Sequence, residues 1–123
     1  MMPYENLTAW QLCHALFLDV YRVTATFPKS ELYGLTSQMR RAAFSAAANI
    51  AEGSAKRGPR EFRRYLDLTL GSLAELSYAI RAVGDLKLLS TEEATRLSAA
   101  HQKAGRVTWG LHRRVSRGRD GAP

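Results

Sequence analysis

From Phe62 to Val83 the residues Phe62, Leu66, Thr69, Leu73, Leu76, Ile80 and Val83 follow one another at intervals of 4-3-4-3-4-3. A mean step of 3.5 residues puts all seven on one stripe of an α-helix and does not suit the two-residue period of a strand. Such a stripe is stable only when other helices cover it, so the rest of the chain has to supply them.

It does so three times. Trp10, Cys13, Phe17, Val20, Thr24 and Phe27 are spaced 3-4-3-4-3. Leu32, Leu35, Met39, Ala42/Ala43, Ala46 and Ile50 form a second line, and Ala94, Leu97, His101, Ala104, Thr108, Leu111 and Val115 a third. Boundary signals bracket these segments. The Phe27-Pro28 pair stops the first helix, Gly53 suits the C-cap of the second, and Pro59 suits the first turn of the third. Ser90-Thr91-Glu92-Glu93 has the pattern of a capping box opening the fourth. The expected helices span about 8–27, 32–52, 59–88 and 91–116, a single domain over 1–116, with a flexible basic tail at 117–123. Short connections force antiparallel neighbours, so the expected fold is all-α, an antiparallel up-down-up-down four-helix bundle, left-handed because its seams repeat every 3.5 residues.

A chain of 123 residues can build such a core without disulfides. It has one cysteine, Cys13, which cannot bridge internally and suits a reducing cytoplasm. No apolar run reaches 18 residues, so no membrane span is expected, and the first residues lack the charged start and apolar stretch of a signal peptide. Apolar residues also fall off the main seams, at Tyr65, Leu68, Leu70, Ala79 and Ala82, and helix 2 is rich in alanine. Apolar surface beyond one stripe points to self-association.

Catalytic patterns are scarce. None of His14, His101 and His112 has a Glu three residues before it, which rules out the di-iron arrangement of bundle proteins. Cys13 and His14 are adjacent and diverge on a helix, so they cannot chelate one ion. Phosphate-binding loops and nucleophile elbows are missing, and no cofactor is expected. Arg96/His101 and Arg106/His112 match the Arg-x(4–6)-His pattern of HEPN-type ribonucleases. In a chain this rich in arginine the match has little weight, and His101 on a helix seam reads better as a buried, hydrogen-bonded imidazole. Asn49 and Glu52 are expected to bond the following loop or Arg57 and Arg60, and Glu61 to complement the dipole of helix 3.

Charge carries the functional signal. Eighteen Lys+Arg oppose eleven Asp+Glu, a net +7, and fourteen of the eighteen are arginine, whose planar fork suits phosphate. Lys56, Arg57, Arg60, Arg63 and Arg64 crowd the connection into helix 3, beside the free N–H groups of a helix N-terminus. The helix dipole disfavours cations there, so another reason for them is needed. Arg113, Arg114, Arg117 and Arg119 end helix 4, which an antiparallel bundle brings to the same end. Arg40 and Arg41 are expected to extend this basic pole along helix 2. Few aromatic residues interleave with these charges, so the expected partner is the backbone of RNA or DNA rather than its bases.

These stretches together resemble the four-helix-bundle proteins encoded by intervening sequences of bacterial 23S rRNA genes. The resemblance rests on Trp10-Gln11, Val20-Tyr21, Phe27-Pro28, Glu31-Leu32-Tyr33-Gly34-Leu35, Gln38-Met39-Arg40-Arg41-Ala42-Ala43, Ser45, Asn49-Ile50-Ala51-Glu52-Gly53, Glu61-Phe62, Tyr65-Leu66 and Gly71-Ser72-Leu73-Ala74-Glu75-Leu76. It runs from about Glu5 to Leu89. Where the family often has an Ile-Pro-like pair, this chain has Ala46-Ala47. The resemblance implies a cytoplasmic homopentamer without catalytic activity, similar also to the accessory variability proteins of retroelements. The expected function is therefore non-catalytic binding of nucleic acid by an oligomer. A scaffold for a protein partner, such as a reverse transcriptase, is the second expectation, and a ribonuclease using Arg96 and His101 a distant third.

Overall fold

A computed structural model describes residues 2–119. Four helices, α1 (Thr8–Thr24), α2 (Leu35–Ser54), α3 (Gly58–Asp85) and α4 (Thr91–Arg119), carry the fold, and there is no strand among the described residues. Short 3-10 turns at Pro3–Asn6 and Lys29–Glu31 precede α1 and α2. Each helix packs on its two neighbours, α1 with α2, α2 with α3, α3 with α4 and α4 with α1, which closes the bundle.

Pairs across every interface run in opposite directions. Arg40 reaches Thr24 and Phe44 meets Phe17; Thr69 reaches Ala46 and Tyr65 abuts Gly53; His101 meets Leu73 and His112 meets Asp67; Arg22 meets Glu93 and Cys13 meets Thr108. All four neighbours are therefore antiparallel, as the heptads and short connections predict.

The α3 seam is buried from Leu66 to Val83, with Phe62 half-buried, and α4 buries Leu97, Ala104, Thr108 and Leu111. In α2 the line starts at Leu35, because Leu32 precedes the helix and stays exposed. Of the expected α1 seam, Cys13, Val20, Thr24 and Phe27 are buried, but Trp10 and Phe17 give way to their neighbours. Ala9, Cys13, Leu16, Val20 and Val23 face the core, while Trp10 and Phe17 lie half-buried at the edge of the α1–α2 groove. There Tyr4, Trp10, His14, Phe17, Tyr21 and Phe44 form a continuous aromatic row, with Trp10 and His14 stacked at 4.8 Å and 8°. Both stripes of α1 are apolar, and burial selects the one with slimmer side chains for the interior.

Helix ends depart from expectation for local reasons. α1 stops at Thr24 rather than at 27, since the Pro28 ring would clash with the Thr24 carbonyl of a continuing helix. The Thr24 hydroxyl instead donates to the Val20 carbonyl at 2.7 Å. α3 stops at Asp85 rather than at 88. Leu88 N–H bonds the Val83 carbonyl at 2.9 Å and Lys87 N–H that of Gly84 at 3.1 Å, a Schellman motif with Lys87 in the left-handed region at φ 61°. α4 runs three residues past the expected 116, to Arg119, and the remainder of the expected tail, 120–123, lies outside the described residues. Ser90 caps α4 by accepting from Glu93 N–H at 3.1 Å, but the other half of the capping box is not made. The Glu93 carboxylate holds Arg22 of α1 at 3.1 Å and Arg96 at 2.8 Å.

Gly53 is not a C-cap, because α2 continues to Ser54. A Cβ on Gly53 would stand 2.6 Å from Tyr65 Cβ and 3.0 Å from Phe62 Cδ1. Ala42, Ala43, Ala46 and Ala47 are buried too, which accounts for much of the alanine in α2 within the bundle itself. Thr69 Oγ1 donates to the Ala46 carbonyl at 2.9 Å and Ser72 Oγ to Ser45 Oγ at 2.8 Å across this interface. α2 runs unbroken through Ala46-Ala47.

Candidate nucleic-acid interface

One end of the bundle gathers the start of α1, the end of α2, the 55–57 turn, the start of α3 and the end of α4. Its register is set by His112 Nε2, 2.8 Å from Asp67 Oδ1, which makes 67 and 112 level. Arg60, Arg63 and Arg64, within two turns below Asp67, therefore stand at about the same height in the bundle as Arg113, Arg114 and Arg117. The two arginine clusters share one pole, as an antiparallel bundle requires.

The α2–α3 turn builds its centre. Gly58 adopts φ +80°, which only glycine takes without strain, and turns the chain into Pro59 and the first turn of α3. The N-cap residue is Arg57, whose side chain makes no capping bond, so the first-turn N–H groups stay open to solvent or ligand. Tyr65, pressed on Gly53, carries two cations on its ring: Arg64 at 4.8 Å and Lys56 at 5.5 Å from the centroid. Glu61 holds Arg64 at 3.3 Å and pushes its already high pKa higher. Arg57, Arg60, Arg113, Arg114 and Arg117 are exposed and Arg63 half-buried. Among the described residues, no carboxylate stands within 4.0 Å of these six or of Lys56. The opposite end mixes its signs: Arg22 meets Asp19 and Glu93, Arg81 meets Asp85, and Arg96 meets Glu93.

Arg40 and Arg41 do not join the pole. They lie about 20 Å from it along α2, at 1.5 Å per residue. Arg40 is also engaged, its Nε donating to Thr24 Oγ1 at 2.9 Å and its guanidinium 4.0 Å over the Tyr21 ring. It ties α1 to α2. Asn49 departs from expectation too: its amide turns back to the Ser45 carbonyl at 2.9 Å and hydroxyl at 3.0 Å, away from the loop. Glu52 forms no ion pair with Arg57 or Arg60.

Both histidines of α4 have partners. His101 Nε2 donates to the Leu73 carbonyl at 2.6 Å, the structural use anticipated for it, and Arg96 is drawn to Glu93. Cys13 is sealed in the core 3.8 Å from Thr108 Oγ1, where burial pushes its thiol pKa up to about 11. No group of His, Cys, Asp and Glu fit to hold a metal ion occurs among the described residues, and no helix there is long and apolar enough to cross a membrane.

Two features escaped the sequence reading. One is the aromatic row on α1 and α2, whose members 10, 14, 17 and 21 do repeat 4-3-4. The other is Trp109, exposed on the outer face of α4.

A family model described as 23S rRNA-intervening sequence protein matches residues 5–110. No curated protein matches the sequence. Among solved structures, a protein of unknown function from the S23 ribosomal protein family of Bacteroides thetaiotaomicron VPI-5482 shares the fold. The TM-score is 0.76 over 85% of this chain and 98% of that one, with 13% of residues identical.

Proposed function

The chain belongs to the 23S rRNA-intervening sequence protein family, and within that frame we propose that it is a non-catalytic, oligomeric, cytoplasmic protein that grips RNA or DNA by the phosphate backbone. The observation that carries this reading is the uncompensated pole. Lys56, Arg57, Arg60, Arg63, Arg113, Arg114 and Arg117 gather at the end of the bundle where α3 starts uncapped, and among the described residues none has a carboxylate partner. Cations held together at such a place repel one another, and a polyanion relieves that cost while releasing its own counterions. A lone buried thiol agrees with a reducing compartment.

Self-association belongs to the same reading. Phe44 is 59% and Tyr21 46% exposed beside Trp10 and Phe17, an apolar trough of the kind copies of a chain cover. The number expected from the family resemblance is five. The trough equally suits a protein partner, and that is the observation favouring a scaffold.

A salt series with duplex RNA, structured RNA and DNA tests the proposal, with particle mass followed by light scattering. Binding should weaken linearly in log–log form as salt rises. The mass should stand near five times the 13.7 kDa chain. The Arg60→Ala, Arg63→Ala, Arg64→Ala triple variant should bind more weakly and still fold. Failure to bind at low salt, or an unaffected triple variant, removes the phosphate site.

A further inference from the structure

Trp109 is half exposed (50%), although its neighbours Thr108 and Leu111 are buried. It contributes little to the core. Arg106, Arg113 and Arg117 stand at −3, +4 and +8 from it on α4, all exposed, so four residues share one outward stripe. Gly110 beside it has no side chain, and the Arg113 guanidinium leans back to 4.0 Å from where a Cβ on Gly110 would stand. Behind the indole, the His112 ring meets it edge-on at 5.4 Å and 62°. His112 is itself mostly buried and fixed by Asp67 at 2.8 Å. The indole is thus braced on one side, open on the other, and flanked by cations about one turn away in each direction.

We propose that Trp109 is a stacking platform for an unpaired nucleobase, with Arg106 and Arg113 taking the phosphates on either side. The inference rests on the nucleic-acid reading above and deepens it, from the backbone alone to backbone plus base in a single strand or loop. Charge complementarity selects this occupant. A hydrophobic partner would have to bury three arginines around the indole, whereas a nucleotide strand offers a flat π face between two anions, the pairing on which single-strand binders rely. His112 acts as a positioning residue by holding the ring upright. A duplex keeps its bases stacked inside and would meet only the arginines.

The test compares a 20-nucleotide oligothymidylate with a blunt duplex of the same length, using the full chain. Trp109→Ala should weaken binding of the single strand by roughly tenfold, within the range for one base on one aromatic ring. It should leave duplex affinity within about twofold and the salt slope unchanged, while Trp109→Phe keeps most of the affinity. In a Trp10→Phe background, which leaves Trp109 as the only tryptophan, the single strand should quench indole emission and the duplex should not. If Trp109→Ala binds the single strand normally while the Arg60/Arg63/Arg64 variant does not, the platform is wrong and the phosphate reading survives. Equal losses for both nucleic acids, or a drop in particle mass, would make Trp109 a contact between copies and overturn the proposal. Wild-type protein that binds neither probe overturns both.

Discussion

Gly53 on α2 and Tyr65 on α3 approach so closely that a methyl group on the glycine would stand 2.6 Å from the tyrosine Cβ. Real Cβ atoms do not come that near, and Tyr65 Cβ cannot retreat without moving α3. The contact therefore sets the spacing of the two helices at the basic pole. It also sets the site, because the same Tyr65 ring underlies Lys56 and Arg64. A backbone requirement in the core thus governs where two surface cations stand.

Gly53→Ala should destabilise the protein by roughly 1–3 kcal/mol, although alanine is the better helix former, because overpacking outweighs propensity here. Gly71→Ala is the control. Its added methyl meets nothing within 4 Å, so propensity acts alone and should stabilise by about 0.5–1 kcal/mol. Urea unfolding of both variants reads the contrast, and matching shifts would mean the close approach does not constrain the fold.

Lys87 closes α3 in a conformation that suits glycine. Lys87→Gly should raise stability by about 1 kcal/mol through relief of left-handed strain. A lower melting temperature would show that the lysine side chain contributes more than its backbone costs.

Cys13 has an ordinary thiol pKa of 9.0, raised to about 11 in the fold by burial, with the Thr108 hydroxyl opposing weakly. Below pH 9 neither state ionises and the group adds no pH dependence. Between 9 and 11 the unfolded chain loses the proton first, so stability should fall as pH rises, by roughly 2–3 kcal/mol in all. The informative quantity is wild type minus Cys13→Ala, which isolates the thiol from every other contribution. That gap should narrow from pH 8.5 to 11, and parallel curves would contradict the assignment.

His101→Ala removes a bond to the Leu73 carbonyl. It should cost about 1–2 kcal/mol in stability and leave nucleic-acid affinity within twofold. Wild-type protein incubated with RNA should leave it intact. Cleavage that disappears in this variant would restore the ribonuclease reading.

Removing three arginines from the mixed end, Arg22, Arg81 and Arg96, lowers net charge as much as removing Arg60, Arg63 and Arg64. The pole variant should lower the salt slope by about two to three, and the other by less than one. Each lost pair at the mixed end is exposed and should cost at most about 1 kcal/mol of stability. Equal slopes would mean that net charge, and not its placement, drives binding.

Much of this molecule is legible in one dimension. The heptads of α3 and α4, the Ser90 cap and the short connections suffice for four antiparallel helices, and antiparallel order alone brings Arg60 and Arg113 to one end. These are properties of angle and chain length, which spacing records directly. What spacing cannot record is which arc of a helix faces a neighbour when two arcs are apolar. Ala9 and Leu16 enter the core while Trp10 and Phe17 line a groove, because α2 and α4 jointly decide what fits against α1. The same holds for Arg40, captured by Thr24 and Tyr21, and for Gly53, whose necessity appears only when Tyr65 is set against it. Trp109 is the sharpest case. Its place on α4 follows from the sequence, but that it stands clear of the core, braced by His112 among arginines, depends on contacts that only the assembled bundle makes.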